Sequence, residues 1–286
     1  MNPSMRILVT GANGQLGRHM QLAATQQTDD YRFTGREELD VTDRAAVLRY
    51  VAEVQPDVIV NCTAYNDTEQ AEHDEAAAFR VNAEAVGFLA EAAKQQEALL
   101  IHISTDFVFM GGCCSMLTEQ SQPQPLNAYG RSKLAGEEAV RRSGCHYIIL
   151  RTAWLYSEFG RNFVQTMLRL SAERETLRVV QDQIGSPTYA GDLAVAIVRI
   201  IAERRFVEGI YHYTNLGECS RWEFACEICR LAGRTAEIEP CRSEEYPSQV
   251  LRPKNVILDK RLFQHTFEQS IPHWRESLAR MLTAQK

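Results

Sequence analysis

The stretch Thr10-Gly11-Ala12-Asn13-Gly14-Gln15-Leu16-Gly17 directly follows a short apolar run, residues 5–10, and opens an amphipathic segment, residues 15–26. Three glycines at intervals of three, between a predicted strand and a predicted helix, are typical of a dinucleotide-binding turn. One glycine allows the tight turn, one lets backbone N–H groups approach a pyrophosphate, and one lets helix and strand pack closely. The pyrophosphate would lie at the positive end of the helix. We therefore predict a dinucleotide in contact with Gly11, Asn13, Gly14, Gln15, Leu16 and Gly17.

Short apolar strands alternate with amphipathic helices over the first half of the chain. We predict strands at residues 5–10, 31–34, 57–61, 99–104 and 147–151, and helices at residues 15–26, 43–54, 71–96 and 128–142. This alternation is typical of βαβ units and a parallel sheet, and right-handed crossovers place helices on both faces. The predicted fold class is α/β, a doubly wound parallel Rossmann sheet with a smaller C-terminal substrate lobe.

The alternation becomes less regular after residue 151. Helices are still predicted at residues 162–173, 190–203 and 221–231, and one more strand at residues 209–214, but prolines divide the tail into short elements. We predict a dinucleotide-binding domain of residues 1–152, completed by residues 180–214. Residues 153–179 and 215–286 would then form the substrate-binding lobe.

Composition excludes several classes of function. The 286 residues carry a formal net charge of −6, which gives no support to binding of nucleic acid or of an anionic membrane. No apolar run approaches a membrane span, and the N-terminal residues do not resemble a signal peptide. The eight cysteines do not form a disulfide or zinc pattern, and Cys226 and Cys229 are interpreted as thiols on a helix. We expect a cytoplasmic protein without a metal site.

The end of the second predicted strand bears on the choice of nicotinamide cofactor. An acidic residue there would accept a hydrogen bond from the ribose 2′-OH of NAD, but the sequence reads Phe33-Thr34-Gly35-Arg36. Arg36 could pair with the 2′-phosphate of NADPH through a bidentate contact. Asp40 and Val41 would flank the adenine. NADPH is therefore predicted, and NADH stays open because Glu37 and Glu38 follow directly.

Tyr129 and Lys133 are four residues apart in a predicted helix, so their side chains share one face. A lysine ammonium beside a phenol lowers the pKa of the tyrosine, which makes the phenol a usable acid and base. Ser104-Thr105-Asp106 ends the fourth predicted strand, and strand ends line the ligand crevice in this fold. Thr105 is favoured over Ser104 as the hydroxyl that polarises a carbonyl. Thr105, Tyr129 and Lys133 are therefore the predicted catalytic residues.

These motifs together resemble the extended short-chain dehydrogenases, and longer segments resemble the dTDP-4-dehydrorhamnose reductase family. The resemblance covers nearly the whole chain in order. Its most specific segments are Val60-Asn-Cys-Thr-Ala-Tyr65, Ser104-Thr-Asp-Phe-Val-Phe109, Asn127-Ala-Tyr-Gly-Arg-Ser-Lys133, Arg151-Thr-Ala-Trp-Leu-Tyr156, Gly160-Arg-Asn-Phe163, Asp182-Gln-Ile-Gly-Ser-Pro-Thr188, Arg252-Pro253 and Leu258-Asp259.

The resemblance implies reduction by NAD(P)H of the C4 keto group of dTDP-4-dehydro-L-rhamnose, giving dTDP-L-rhamnose. Tyr129 would protonate the oxygen, Lys133 would hold the nicotinamide ribose, and Trp154 would pack against the sugar. By the same resemblance, further cofactor contacts fall on Cys62, Thr63, Ala64 and Tyr65. The implied substrate contacts are Ser104, Thr105, Asp106, Phe107, Trp154, Asn162, Phe163 and Arg252.

One departure and two alternatives remain. The family usually has Tyr where this chain has Phe107, so one active-site hydroxyl is absent. Another nucleotide-sugar reductase or epimerase of the same superfamily is an alternative, although the second acid that a dehydratase needs after Asp106 is missing. A non-catalytic, NADP-binding regulatory subunit resembling the β subunit of methionine adenosyltransferase is the other. A homodimer is expected from relatives.

Overall fold

A computed structural model describes residues 4–112, 116–246 and 248–284. The strands of the described residues are numbered along the chain: β1 Arg6–Thr10, β2 Asp30–Thr34, β3 Val58–Asn61, β4 Leu99–Thr105, β5 His146–Thr152, β6 Leu155–Tyr156, β7 Thr176–Val180, β8 Ile184–Gly185, β9 Thr188–Tyr189, β10 Gly209–His212, β11 Cys219–Ser220 and β12 Glu237–Cys241. The helices are α1 Gln15–Ala24, α2 Arg44–Val54, α3 Thr68–His73, α4 Glu75–Phe79, α5 Ala85–Gln95, α6 Ala128–Ser143, α7 Phe163–Glu173, α8 Ala190–Ala202, α9 Arg221–Leu231, α10 Arg261–Phe267 and α11 Trp274–Ala284.

Six strands form one parallel sheet in the order β10-β5-β4-β3-β1-β2. Strand order reverses at β1, which has β2 on one side and β3 on the other, as in the flavodoxin-like doubly wound sheets. The carboxyl ends of β1 and β3 therefore border a crevice at this switch point. The predicted α/β Rossmann class is confirmed, and so are all six predicted strands to within two residues at each end.

Alternate residues of the strands face opposite layers of helices. Ile7 and Val9 belong to the core cluster that contains residues of α1 and α8, whereas Leu8 belongs to the cluster that contains residues of α2 and α5. Successive side chains of a strand point to opposite faces of a sheet, so continuous apolar runs mark strands covered on both sides. The side chains of Ile7, Leu8 and Val9 are all fully buried.

A third core cluster lies under the segments that follow β5. It joins residues of α7, β7, α9 and α11, including the fully buried Trp274 and Phe224. Strands β7 and β12 pair in parallel here, which the sequence pattern did not predict. Helix α10 instead packs Phe263 and Phe267 into the cluster beneath the main sheet. The division into residues 1–152 with 180–214 and residues 153–179 with 215–286 is retained as our proposal for the two functional units.

The single helix predicted at residues 71–96 is wrong. The structure has α3, α4, a π-helical turn Arg80–Glu84 and α5 in succession. Asp67 and Asp74 each accept a hydrogen bond from the backbone N–H three residues later, so each begins a new helix. Alanine and glutamate are strong helix formers, and their abundance masked these two caps. The π turn places the Asn82 side chain inside the protein.

Other predicted elements agree with the structure to within a few residues. Asp43 caps α2 by accepting a hydrogen bond from Ala46 N–H, and α9 spans the predicted residues. Cys226 and Cys229 lie on α9, where burial raises the pKa of both thiols. No helix within the described ranges is long and apolar enough to cross a bilayer.

Candidate active site

The glycine turn has the geometry that the three predicted roles require. Gly11 has a φ of +70°, and a Cβ atom there would approach the Cys62 carbonyl carbon to 2.8 Å. Gly14 is the N-cap of α1, and its N–H donates to the Gly11 carbonyl over 3.0 Å. A Cβ atom on Gly17 would lie 2.2 Å from the Gly11 carbonyl oxygen, so this glycine allows α1 to pack against the turn. The backbone therefore forms a cradle that side chains would fill.

One cleft of about 1280 Å³ brings the predicted residues together. This volume exceeds the roughly 300–1000 Å³ of an ordinary ligand pocket, which suits a dinucleotide and a second ligand. Of the predicted cofactor residues, those that line it are Gly11, Asn13, Gly14, Gln15, Leu16, Arg36, Asp40, Val41, Cys62, Thr63, Ala64, Tyr65, Tyr129 and Lys133. All the predicted substrate residues line it as well: Ser104, Thr105, Asp106, Phe107, Trp154, Asn162, Phe163 and Arg252. Gly17 does not, because it faces the turn itself.

The end of β2 leaves Arg36 accessible. Its side chain is 88% exposed, and its Nε lies 3.8 Å from Asp40. Glu38, which the sequence left as a competing acid, accepts a hydrogen bond from Gly35 N–H over 2.8 Å. Asp40 accepts hydrogen bonds from Thr42, which lower the pKa of the carboxyl group. Arg36 is thus an exposed cation at this end of the cleft, in a long ion pair with Asp40.

Helix α6 carries Tyr129 and Lys133 to the end of β4. Asn127 caps the helix by accepting a hydrogen bond from Gly130 N–H, and a Cβ atom on Gly130 would lie 2.3 Å from the Phe107 carbonyl oxygen. The first turn of α6 therefore packs closely against the segment after Thr105. The Tyr129 hydroxyl donates to Asn66 Oδ1 over 3.3 Å, and the neighbouring Thr105 hydroxyl lowers the pKa of the phenol. Thr105 and Tyr129 both line the same cleft.

The predicted pKa relation between Tyr129 and Lys133 is wrong for this arrangement. Burial raises the pKa of Tyr129 to about 12, and the Thr105 hydrogen bond opposes that rise. Lys133 Nζ donates to the Ile103 carbonyl over 2.6 Å, and burial lowers its pKa to about 8. The ammonium group is therefore directed at the strand backbone rather than at the phenol. At neutral pH the phenol keeps its proton and can donate it.

Ser104 and Thr105 have different hydrogen-bond partners inside the protein. The Ser104 hydroxyl donates to Glu137 over 2.5 Å, and Arg151 donates twice to the same carboxylate, over 2.8 and 2.6 Å. The side chains of Ser104, Glu137 and Arg151 are each at least 97% buried. Glu137 lies one turn after Lys133 on α6, so this network fixes α6 to the ends of β4 and β5. The Thr105 hydroxyl instead donates to Asp106 over 3.2 Å, and Thr105 lines the cleft.

Asn82 is a positioning residue that the sequence analysis missed. Its side-chain amide accepts a hydrogen bond from Tyr65 N–H over 2.8 Å and donates one to the Tyr65 carbonyl over 3.0 Å. It also donates to the Ser132 hydroxyl over 3.0 Å. It thereby joins the segment after β3 to α6. The only sequence signal was an amide inside an apolar helix, which alone does not distinguish such a role.

Two of the predicted substrate residues on the far side of the cleft also form hydrogen bonds or ion pairs within the protein. Asn162 caps α7, and its amide donates to Gln15 over 3.0 Å and to the Ser157 carbonyl over 2.8 Å, so it holds the lobe to α1. Arg252 pairs with Glu69 over 2.7 Å. Both line the cleft with their polar groups already engaged. Phe107 packs edge-on against Tyr129, with ring centroids 5.5 Å apart.

Arg221 was not predicted and lies at the centre of this side. Its guanidinium carbon is 3.7 Å from the ring centroid of Trp154 and 5.2 Å from that of Phe163. Trp154 has a φ of +47°, a strained backbone conformation of the kind that concentrates at functional sites. Burial raises the pKa of the neighbouring Asp106 to about 7, and the Arg221 charge opposes that rise.

The sheet, the glycine turn and the Thr105, Tyr129 and Lys133 group define a short-chain dehydrogenase. Comparison with known proteins gives the family. Residues 5–286 match the family described as the RmlD substrate binding domain. A dTDP-4-dehydrorhamnose reductase of Burkholderia thailandensis is 39% identical, over 95% of this chain and 96% of the relative. The chain belongs to this reductase family.

Two further relatives show the range of the likeness. The crystal structure of the dTDP-4-dehydrorhamnose reductase of Bacillus anthracis, in complex with NADP, has a TM-score of 0.95 at 38% identity and covers 99% of this chain and 100% of its own. A dTDP-4-keto-6-deoxy-D-glucose reductase of Streptomyces niveus is 37% identical over 96% of this chain and 95% of the relative. These three relatives are named as reductases of dTDP-linked keto-sugars.

Proposed function

We propose that this enzyme reduces the C4 keto group of dTDP-4-dehydro-L-rhamnose with NADPH and forms dTDP-L-rhamnose. The observation that carries the proposal is the convergence of Thr105, Tyr129 and Lys133 in the cleft that also contains the glycine turn. The names of the relatives support the dTDP-linked sugar as the substrate class.

The proposed mechanism assigns one task to each residue. When bound, the reduced nicotinamide supplies a hydride to C4 of the sugar. Thr105 donates a hydrogen bond to the keto oxygen, and Tyr129 gives that oxygen its proton. Because burial raises the pKa of Tyr129 to about 12, the phenol is protonated at neutral pH, as reduction requires. Lys133 would hold the nicotinamide ribose.

We propose NADPH as the preferred cofactor on the position of Arg36. The Gly11 cradle leaves space for a pyrophosphate, and Arg36 is exposed at the end of β2, where the 2′-phosphate would lie. NADH would lack the bidentate contact and bind more weakly. For the other contacts with the cofactor and with the substrate, we propose the residues that the sequence analysis assigned, except for Asn162 and Arg252.

A related keto-sugar is the second candidate substrate, because the Streptomyces niveus relative acts by name on dTDP-4-keto-6-deoxy-D-glucose at similar identity. Both substrates should therefore be offered to the purified protein with NADPH and with NADH. We expect keto-sugar-dependent NADPH oxidation that is fastest with dTDP-4-dehydro-L-rhamnose. Binding of NADPH without oxidation of it by either sugar would contradict the proposal.

We further propose that the enzyme works in the cytoplasm, because its free thiols are typical of a reducing compartment. The free thiols described are Cys62, Cys145, Cys219, Cys226, Cys229 and Cys241. A homodimer stays a prediction that a mass measurement in solution would decide.

A further inference from the structure

Basic side chains are frequent on the substrate side of the cleft, and most of them have an acidic partner. Arg178 lies 2.9 Å from Glu245, and Arg252 lies 2.7 Å from Glu69. Lys254 lies 2.6 Å from Glu244 and 3.2 Å from Asp182. These charges are already neutralised within the protein, so they attract an anionic ligand less strongly.

Arg221 differs from these residues. In residues 4–112, 116–246 and 248–284 it has no carboxylate within ion-pair distance, and its guanidinium is partly buried against Trp154 and Phe163. Burial lowers the pKa of Arg221 to about 10, so the group is still charged at neutral pH. Its nearby acid, Asp106, has a pKa raised to about 7 and cancels only part of that charge. A partly desolvated guanidinium in a cleft, with only part of its charge cancelled, favours an anion.

Arg221 also covers the indole that the sugar is expected to use. The guanidinium carbon lies 3.7 Å from the ring centroid, which leaves no room for a sugar on that face. The indole cannot withdraw easily: a Cβ atom on Gly185 would lie 2.9 Å from Trp154 Cε2, so the ring already rests on that glycine. Substrate that uses this face must therefore displace Arg221.

We propose that Arg221 binds the diphosphate of the nucleotide-linked sugar and, in moving to it, uncovers Trp154 for the sugar ring. This inference rests on the proposed function. A bidentate arginine–phosphate contact is stronger than a cation–π contact, so the exchange is favourable when the diphosphate arrives. Arg221 then couples recognition of the nucleotide to opening of the sugar site, and it replaces Arg252 as the main phosphate ligand.

The test measures affinity for dTDP, dTMP and thymidine by calorimetry on the full chain saturated with NADP⁺. Arg221→Met should weaken dTDP binding by about tenfold to a hundredfold, as expected for loss of one charge-assisted pair. Thymidine binding should change less than about threefold, on the scale of an uncharged contact. Arg221→Lys, which keeps the charge but loses the planar fork, should lie between the two.

Two matched variants and a fluorescence signal complete the design. Arg178→Met removes a cleft arginine that has a carboxylate partner and should leave dTDP affinity nearly unchanged, whereas Arg252→Met tests the rival phosphate ligand. Indole emission should change on addition of dTDP, and that change should disappear in both Trp154→Phe and Arg221→Met. Thermal unfolding of each variant checks that it is folded.

The outcomes separate the two proposals. Wild-type turnover with a dTDP-linked keto-sugar, together with unchanged dTDP affinity in Arg221→Met or a larger loss in Arg252→Met, would overturn the Arg221 assignment alone. Absence of wild-type turnover and of dTDP binding would overturn the proposed function as well. A dTDP-specific loss in Arg221→Met with normal NADP⁺ affinity would support the inference.

Discussion

The two halves of the cleft are formed by different parts of the chain, one mainly by backbone and the other mainly by side chains. The cofactor half depends on backbone: Gly11 in a left-handed conformation, Gly17 packed against the turn, and the N-terminus of α1. The substrate half depends on contacts between side chains of distant segments, such as the ion pair of Arg252 with Glu69 and the cation–π contact of Arg221 with Trp154. A backbone cradle is specified by a few adjacent residues, whereas a charged side-chain surface is specified only by the complete fold. The four predictions below test that difference from the largest expected effect to the smallest.

Tyr129→Phe removes the proton donor at the boundary between the halves. Turnover should fall by about a thousandfold, within the range of general acid catalysis, because the keto oxygen loses its proton source. NADPH affinity, measured by fluorescence titration, should change less than about twofold because the cradle is untouched. A variant that keeps wild-type turnover would remove Tyr129 from the mechanism.

Asp106 and Asp40 should give opposite pH dependences of stability. The pKa of Asp106 is raised from 3.8 to about 7 by burial, so the folded state holds a proton that the unfolded state loses, and stability falls as pH rises through that window. Asp106→Asn should remove this loss, which is at most about 4 kcal/mol at 1.36 kcal/mol per pKa unit.

Asp40 serves as the control for that measurement. Its pKa is lowered by hydrogen bonds from Thr42, so its contribution is present above the ordinary pKa and is lost as pH falls. Urea unfolding across the pH range should therefore show Asp106→Asn gaining stability over wild type toward neutral pH, and Asp40→Asn losing it. The same slope for Asp106→Asn and wild type would contradict the burial argument.

Glu137→Gln tests the network behind the catalytic helix. Glu137 and Arg151 form a fully buried pair, and removal of one partner leaves a buried charge without compensation. The free energy of unfolding should fall by about 3 kcal/mol. The adjacent Glu138, paired with Arg142 at the surface over 3.6 Å, is the matched control, and Glu138→Gln should cost less than about 1 kcal/mol. Equal losses in the two variants would show that the network contributes nothing specific.

Sequence patterns encode some parts of the cleft locally, whereas other parts depend on the complete fold. The spacing of Gly11, Gly14 and Gly17 encodes a local turn, and Tyr129 and Lys133 share a face through helix periodicity alone. Asn82 was missed because it lies in a π turn inside a helix-forming segment, which the helix-forming composition does not reveal. Arg221 was missed because only the folded chain brings β11 and α9 beside Trp154.

Arg36→Ala tests a side chain that we propose to contribute to cofactor binding. The exposed guanidinium should contribute about tenfold in NADPH affinity through the 2′-phosphate, or about 1.4 kcal/mol. NADH affinity should be nearly unchanged, since that cofactor lacks the phosphate. Equal weakening of both cofactors would indicate a structural role for Arg36 instead.

The central claim is that hydride passes from the nicotinamide to C4 of a dTDP-linked keto-sugar in this cleft. NADPH carrying deuterium at the transferred position of the nicotinamide ring tests it directly, with the sugar product read by NMR. We predict that one deuterium per turnover appears on C4 of dTDP-L-rhamnose and on no other carbon. A product without deuterium at C4, or no product from an enzyme that binds NADPH normally, would contradict the account.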